Sequence, residues 1–169
     1  MIHPIVKYGE AVLEEPAALV KKFDEELQKL AADMFESMYA AEGVGLAAPQ
    51  IGLSLRLAVI DVTTGKNPEA KLVLANPEII HMEGEQREDE GCLSLPGFRG
   101  AVVRPRFVTI RAQDLTGRSY EMRGEGLLAR AFCHEIDHLN GTLFIQHLGM
   151  LKRDLIKRKV RKLKKAGEW

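Results

Sequence analysis

FCHEIDHL, residues Phe132 to Leu139, sets two histidines four positions apart with a glutamate directly after the first. From Gly126 the apolar residues return at helical spacing, and Asn140-Gly141-Thr142 supplies a stop, so the motif belongs on a helix. On such a helix His134 and His138 stand about 40° apart around the axis with Cβ atoms ~6 Å apart, close enough to grip one divalent cation. Glu135 projects elsewhere but stays near enough to reach water at that cation, which makes the pattern ligand, base, ligand. Two histidines on a helix also serve as plain core or surface residues. A third donor decides between these readings.

A catalytic cation site takes three protein ligands and keeps one position open. HEIDHLNGTLF follows HExxHxxGxxH as far as Gly141, but the place of the third histidine is taken by Phe144. A downstream carboxylate serves no better, because the only acidic residues after Asp137 are Asp154 and Glu168, both in a basic tail. The remaining soft donor is a thiol. Cys133 adjoins His134 and projects about 100° round the helix from it, off the ligand face. Cys92, in EGCLSLPG from Glu90 to Gly97, sits among glycines and turn residues that let backbone approach a site closely. An isolated cysteine reads as a structural thiol; beside the histidine pair, Cys92 becomes the chosen third ligand.

The 169 residues suit one domain spanning 1–169, with one substantial core. Apolar runs fall far short of a bilayer, and MIHPIVKYGE lacks the features of a secretory signal, so the expected location is the cytoplasm, without membrane insertion. There the two cysteines stay reduced and available to a metal. Formal net charge is zero, yet Lys152 to Lys165 holds nine Lys/Arg against Asp154 alone, so one end is strongly basic.

Leu19, Phe23, Leu27, Leu30, Met34 and Met38 recur at steps of four and three, predicting an amphipathic helix from Pro16 to about Ala41. Gly43 ends it, and GVGLAAPQIG reads as a loop of small residues. LRLAVIDV, KLVLANPEII, AVVRPRFVTIRAQD and SYEMR are rich in β-formers. The expected class is α+β: a small, mostly antiparallel sheet packed with a central HExxH helix, an N-terminal helix and a basic C-terminal helix over about 148–166.

GVGLAAPQ at Gly43 to Gln50, EGCLS at Glu90 to Ser94 and HEIDH at His134 to His138 occur in the order and intervals of peptide deformylase, which the chain resembles over almost its whole length. That family removes the formyl group from the N-terminal methionine of newly made polypeptides. The resemblance implies Cys92, His134 and His138 as ligands, Glu135 as general acid and base, and Gln50 as polariser of the formyl oxygen. It implies Fe2+ as the physiological ion, with Zn2+, Ni2+ or Co2+ able to occupy the site, whereas the Irving–Williams order alone favours zinc. Two residues depart from the family pattern. Cys133 stands where glutamine is common, and Arg130 lies on the pocket side of the helix where an apolar residue is expected.

The chemistry is coherent with such a site. A cation on one thiolate and two imidazoles lowers the pKa of bound water, and charge building on a formamide oxygen is met by the Gln50 side chain and the Leu93 backbone N–H. Val44, Gly45, Glu90 and Gly91 are expected to border the substrate, with Gly45 pairing to an extended peptide. Leu127 and Ala131 share the ligand face and line either a methionine pocket or the ordinary core. Asp137 pairs with Arg104 or stays solvated. The basic tail serves either as a solubilising helix or to dock on ribosomal RNA near the nascent-chain exit. Two other functions compete: an HExxH metallopeptidase, and a ribosome- or RNA-binding module with a vestigial site.

Overall fold

The computed structural model describes residues 1–169. Its elements are α1 (Glu25–Ala40), β1 (Gly45–Ala47), β2 (Leu57–Ile60), β3 (Leu72–Glu83), β4 (Gln86–Cys92), β5 (Leu95–Arg104), β6 (Phe107–Gln113), β7 (Ser119–Glu125), α2 (Leu127–Leu139) and α3 (Met150–Lys165). Five strands form an antiparallel sheet in the order β1-β2-β3-β6-β7, and β4-β5 is a separate hairpin. The class is α+β, as expected.

Helix α2 is central. Its Phe132, Ile136 and Leu139 pack with Ile60, Leu74, Val108 and Ile110 of the sheet. Burying side chains of this size stabilises the fold by about 1.5–3 kcal/mol each. Gly124 of β7 permits the approach, because a Cβ there would come within 2.8 Å of both Leu128 and Phe132. Past the end of α2, Gly141 has φ +80°, and a side chain there would meet the Glu14 backbone at 2.9 Å. The histidine helix is therefore seated from two sides by glycines. On its far side, Leu95 and Val102 of the hairpin join Phe144, Ile145, Ile156 and Val160 in a second core.

Three expectations need correction. Helix α1 begins at Glu25, not Pro16. Residues before it run irregularly, with Ala18 bridged to Leu55 and the Val20 N–H and C=O both held by the Asn76 amide, at 2.8 and 3.0 Å. Asp24 caps the helix by accepting from the Leu27 N–H at 3.1 Å, so a good N-cap outweighed the apolar period upstream. Second, the segment read as a loop contains β1 and a 3₁₀ turn at Ala48–Ile51, too short to carry a periodic signal. Third, AVVRPRFVTIRAQD is two strands in two sheets, divided at Pro105, and the exposed, acidic β4 escaped notice because its sequence lacks apolar alternation.

In α3, Ile156 and Val160 are buried, but Leu151 is 88% and Leu155 47% exposed. The apolar residues of that helix are therefore only partly packed. No helix is long and apolar enough to cross a membrane.

Candidate active site

Cys92 ends β4, and both histidines stand on α2, so hairpin and helix bring the donors together. Cys92 Sγ lies 3.3 Å from His138 Nε2, which lies 3.2 Å from His134 Nε2. All three donor atoms fall within 4.8 Å of one another. Donors ~2.0–2.3 Å from one tetrahedral ion are ~3.3–3.8 Å apart, so in this set the Cys92–His138 and His138–His134 separations suit a single cation, with the Cys92 and His134 donors within 4.8 Å of each other. Cys133 is not in it. That thiol is buried in the core under the sheet, where burial pushes its pKa up to about 11.

The imidazoles are prepared for coordination by what lies behind them. Glu90 Oε1 accepts from His134 Nδ1 at 3.0 Å and from Arg104 at 2.9 Å, while Oε2 accepts from Arg104 Nε at 2.8 Å and from Arg130. Burial alone would raise the Glu90 pKa, but the hydrogen bonds from Arg104 and His134 reverse this and hold the carboxyl well below its usual range. Although burial opposes it, hydrogen bonds to Cys92 and Glu90 raise the His134 pKa well above the usual imidazole range; Glu90 holds the Nδ1 proton, so a cation would bind at Nε2 by displacing the proton there. Burial, reinforced by the neighbouring His134 charge, holds His138 well below the usual imidazole range, so His138 is a neutral donor. Asp137 Oδ2 accepts from Arg104 at 2.7 Å and lies 2.9 Å from His147 Nε2, the paired arrangement among the two expected for Asp137. Phe144, where one protease pattern would put a ligand, stacks beside His134 with ring centroids 6.5 Å apart.

Glu135 is 3% exposed, and burial pushes its pKa up to about 7. Its Oε1 has no hydrogen-bond partner. Its Oε2 lies against β1, where a Cβ on Gly45 would come within 2.5 Å. Gly45 is required here for space, not for an unusual φ. The Gln50 amide is held on the 3₁₀ turn: its Oε1 accepts from the Ala47 N–H at 3.0 Å, and its Nε2 points to Cys92 Sγ at 3.5 Å and donates to Ser94 Oγ at 3.2 Å. The Leu93 N–H, in the turn after Cys92, has no partner within the chain.

These groups surround a cavity of about 570 Å³ between the start of β1, the β4-β5 hairpin and α2. Cys92, His134, Glu135, Gln50 and Leu93 all border it; His138 lies behind them, buried. Val44, Gly45, Glu90, Gly91, Leu127 and Ala131 border it too. Leu127 is exposed at the rim, and Ala131 belongs at once to the cavity wall and to the core. Glu90 borders the cavity with its carboxylate engaged by His134 and two arginines. What the sequence reading missed is the grip of this arginine pair on Glu90 and the bond from Gln50 to Ser94. Its traces were an arginine closing an apolar strand at Arg104 and another on the pocket side of α2 at Arg130.

A scaffold that brings a thiol, two imidazoles and a buried glutamate to one open cavity defines a metal-dependent hydrolase of the HExxH kind. The polypeptide deformylase family model matches residues 2–154. Peptide deformylase of Acidobacterium capsulatum is 62% identical over 169 residues, covering 100% of this chain and 99% of that protein. The crystal structure of a peptide deformylase from Legionella pneumophila is similar at TM-score 0.91 and 48% identity, covering 99% of this chain and 98% of that one. A peptide deformylase from Plasmodium falciparum is similar at TM-score 0.89 and 35% identity, covering 96% and 95%. The chain belongs to the polypeptide deformylase family.

Proposed function

We propose that the chain deformylates nascent polypeptides beginning with N-formylmethionine, using one ferrous ion held by Cys92, His134 and His138. The carrying observation is the convergence of these three donors beside Glu135 in an open cavity. A divalent cation there supplies Lewis-acid chemistry, activating water and polarising the formyl carbonyl. Zinc, nickel or cobalt would suit the same donors.

The chain's own groups do the rest. Gln50 Nε2 and the Leu93 N–H donate to the formyl oxygen as negative charge builds on it. Glu135, buried beside the donors, takes a proton from the attacking water and gives it to the departing amine. Formate and a free amino terminus result. The peptide lies extended along β1, which pairs with β2 on one edge only, so Gly45 offers its free edge to the substrate. Val44 and Gly91 flank that path, and Leu127 and Ala131 receive the methionine side chain.

The proposed location is the cytoplasm. There the basic outer face of α3 docks the enzyme on ribosomal RNA near the nascent-chain exit, assisted by the exposed Leu151 and Leu155.

The test is formate release from formyl-Met-Ala by anaerobically purified, iron-loaded protein, beside an unformylated peptide with internal bonds. Release of formate from the first and no cleavage of the second is expected. Cleavage of the second alone would make the chain a peptidase.

A further inference from the structure

Arg130 is the one buried charge at the cavity for which the reaction above has no use. It lies one turn before His134 on α2 and is only 6% exposed. One guanidinium nitrogen donates to Glu90 Oε2, and the other donates to the Val102 carbonyl of β5 at 3.0 Å. Its Nε–H is buried without a partner. A buried ion pair is a poor source of net stability, and an unpaired N–H adds to the cost, so packing alone does not explain an arginine here.

We infer that Arg130 is a positioning residue for the metal centre, a strut that fixes Glu90 against His134 and ties the helix bearing the histidines to the hairpin bearing Cys92. The inference rests on the reading of Cys92, His134 and His138 as cation ligands.

Two features of the geometry carry it. Arg130 engages Oε2 only, while His134 Nδ1 is on Oε1. Arg104 touches both oxygens and so leaves the carboxylate free to be used in either sense; Arg130 breaks that symmetry. The second feature is the bond to Val102. It spans from α2 to β5, whose hairpin partner β4 ends in Cys92, so the same guanidinium sets the distance between the two ligand-bearing elements. Groups that orient a ligating histidine from behind are typically worth about 10–100-fold in metal affinity.

The experiment is Co2+ binding to the full chain, followed by chelator competition and by the visible absorption of the bound ion, for wild type, Arg130→Met, Arg130→Lys, Glu90→Gln and Arg130→Met/Glu90→Gln. Methionine keeps the volume of the stem and removes the donors; lysine keeps the charge with one point of contact. Arg130→Met is expected to weaken Co2+ binding about tenfold and to change the absorption bands, with Arg130→Lys partway between. Because Arg130 acts in part through Glu90, the double variant is expected to lose less than the sum of the two single losses, with the tie to Val102 accounting for any loss beyond Glu90→Gln alone. Native affinity and an unaltered spectrum in Arg130→Met would overturn the inference while leaving the ligand assignment standing, as would fully additive losses in the double variant. Failure of the wild type to bind one Co2+ would overturn the ligand assignment and this inference together. Should Arg130→Met not fold, the lysine variant carries the same test, since native binding by it would show that the forked contact to Glu90 and Val102 is dispensable.

Discussion

Helices α2 and α3 differ most in what surrounds their charges. On α2, Arg130, His134 and Asp137 are locked with Glu90 of β4, Arg104 of β5 and His147 beyond the helix, so that nearly every charge has a buried or half-buried partner. On α3, none of the nine lysines and arginines belongs to an ion pair, and most face water. Buried partners cannot be replaced by solvent when one is removed, whereas exposed charges are individually worth little and are screened by salt. Single substitutions should therefore act on chemistry at α2 and be nearly silent at α3, where only several changes together alter behaviour.

The largest effect is expected at the ligands. Cys92→Ser should lose most bound metal and, with it, formate release, whereas Cys133→Ser should keep near-normal metal content because its thiol is packed in the core. Metal analysis of the two purified variants checks this, and the reverse outcome would move the ligand to the neighbouring thiol. Next is Glu135→Gln, which keeps shape but removes the proton carrier. It should retain metal and lose ~10² to 10⁴ in rate. Near-native turnover in metal-replete protein would remove Glu135 from the mechanism.

The same residue gives a smaller, separable effect on stability. The folded-state pKa of Glu135 is raised from 4.5 to about 7, so its favourable contribution is complete below pH 4.5 and is lost as pH rises through 7. In metal-free protein at pH 8, Glu135→Gln should thus be more stable than wild type by roughly 2 to 4 kcal/mol, the difference fading toward pH 4.5. Denaturant unfolding at the two pH values measures it. The smallest effect on catalysis is expected from changing Lys157, Arg158, Arg161, Lys164 and Lys165 of α3 together to glutamine. Turnover of a short free peptide should be unchanged, while co-sedimentation with ribosomes at low salt should fall to the level that the wild type reaches at moderate salt. Equal, salt-insensitive pelleting of both proteins would reject the docking role.

The contrast also explains what could be read from the sequence. The i, i+4 histidines and the adjacent glutamate are a local pattern, so spacing alone placed them on one helix with a shared ligand face. Cys92 was reachable by eliminating other donors. The network behind them was not, because Glu90, Arg104, Arg130 and His134 come from three elements and only the fold makes them neighbours. Arg130 was visible as an oddity without a partner. Strands β2, β3 and β6 of the main sheet announced themselves by their β-branched content, but β1, three small or apolar residues long, and β4, acidic and exposed, did not. On α3, the spacing of Leu151 and Leu155 matched that of Ile156 and Val160, yet the core reaches only the latter pair. Periodicity identifies a helix; it does not tell how far along it the packing extends.

The central claim, that a thiol from the hairpin and two imidazoles from α2 hold one cation, is open to direct measurement. X-ray absorption at the metal edge of wild-type protein loaded anaerobically with iron should give one sulfur and two imidazole nitrogens per bound ion, and the sulfur should disappear in Cys92→Ser but persist in Cys133→Ser. A wild-type shell made only of nitrogen and oxygen would contradict the account.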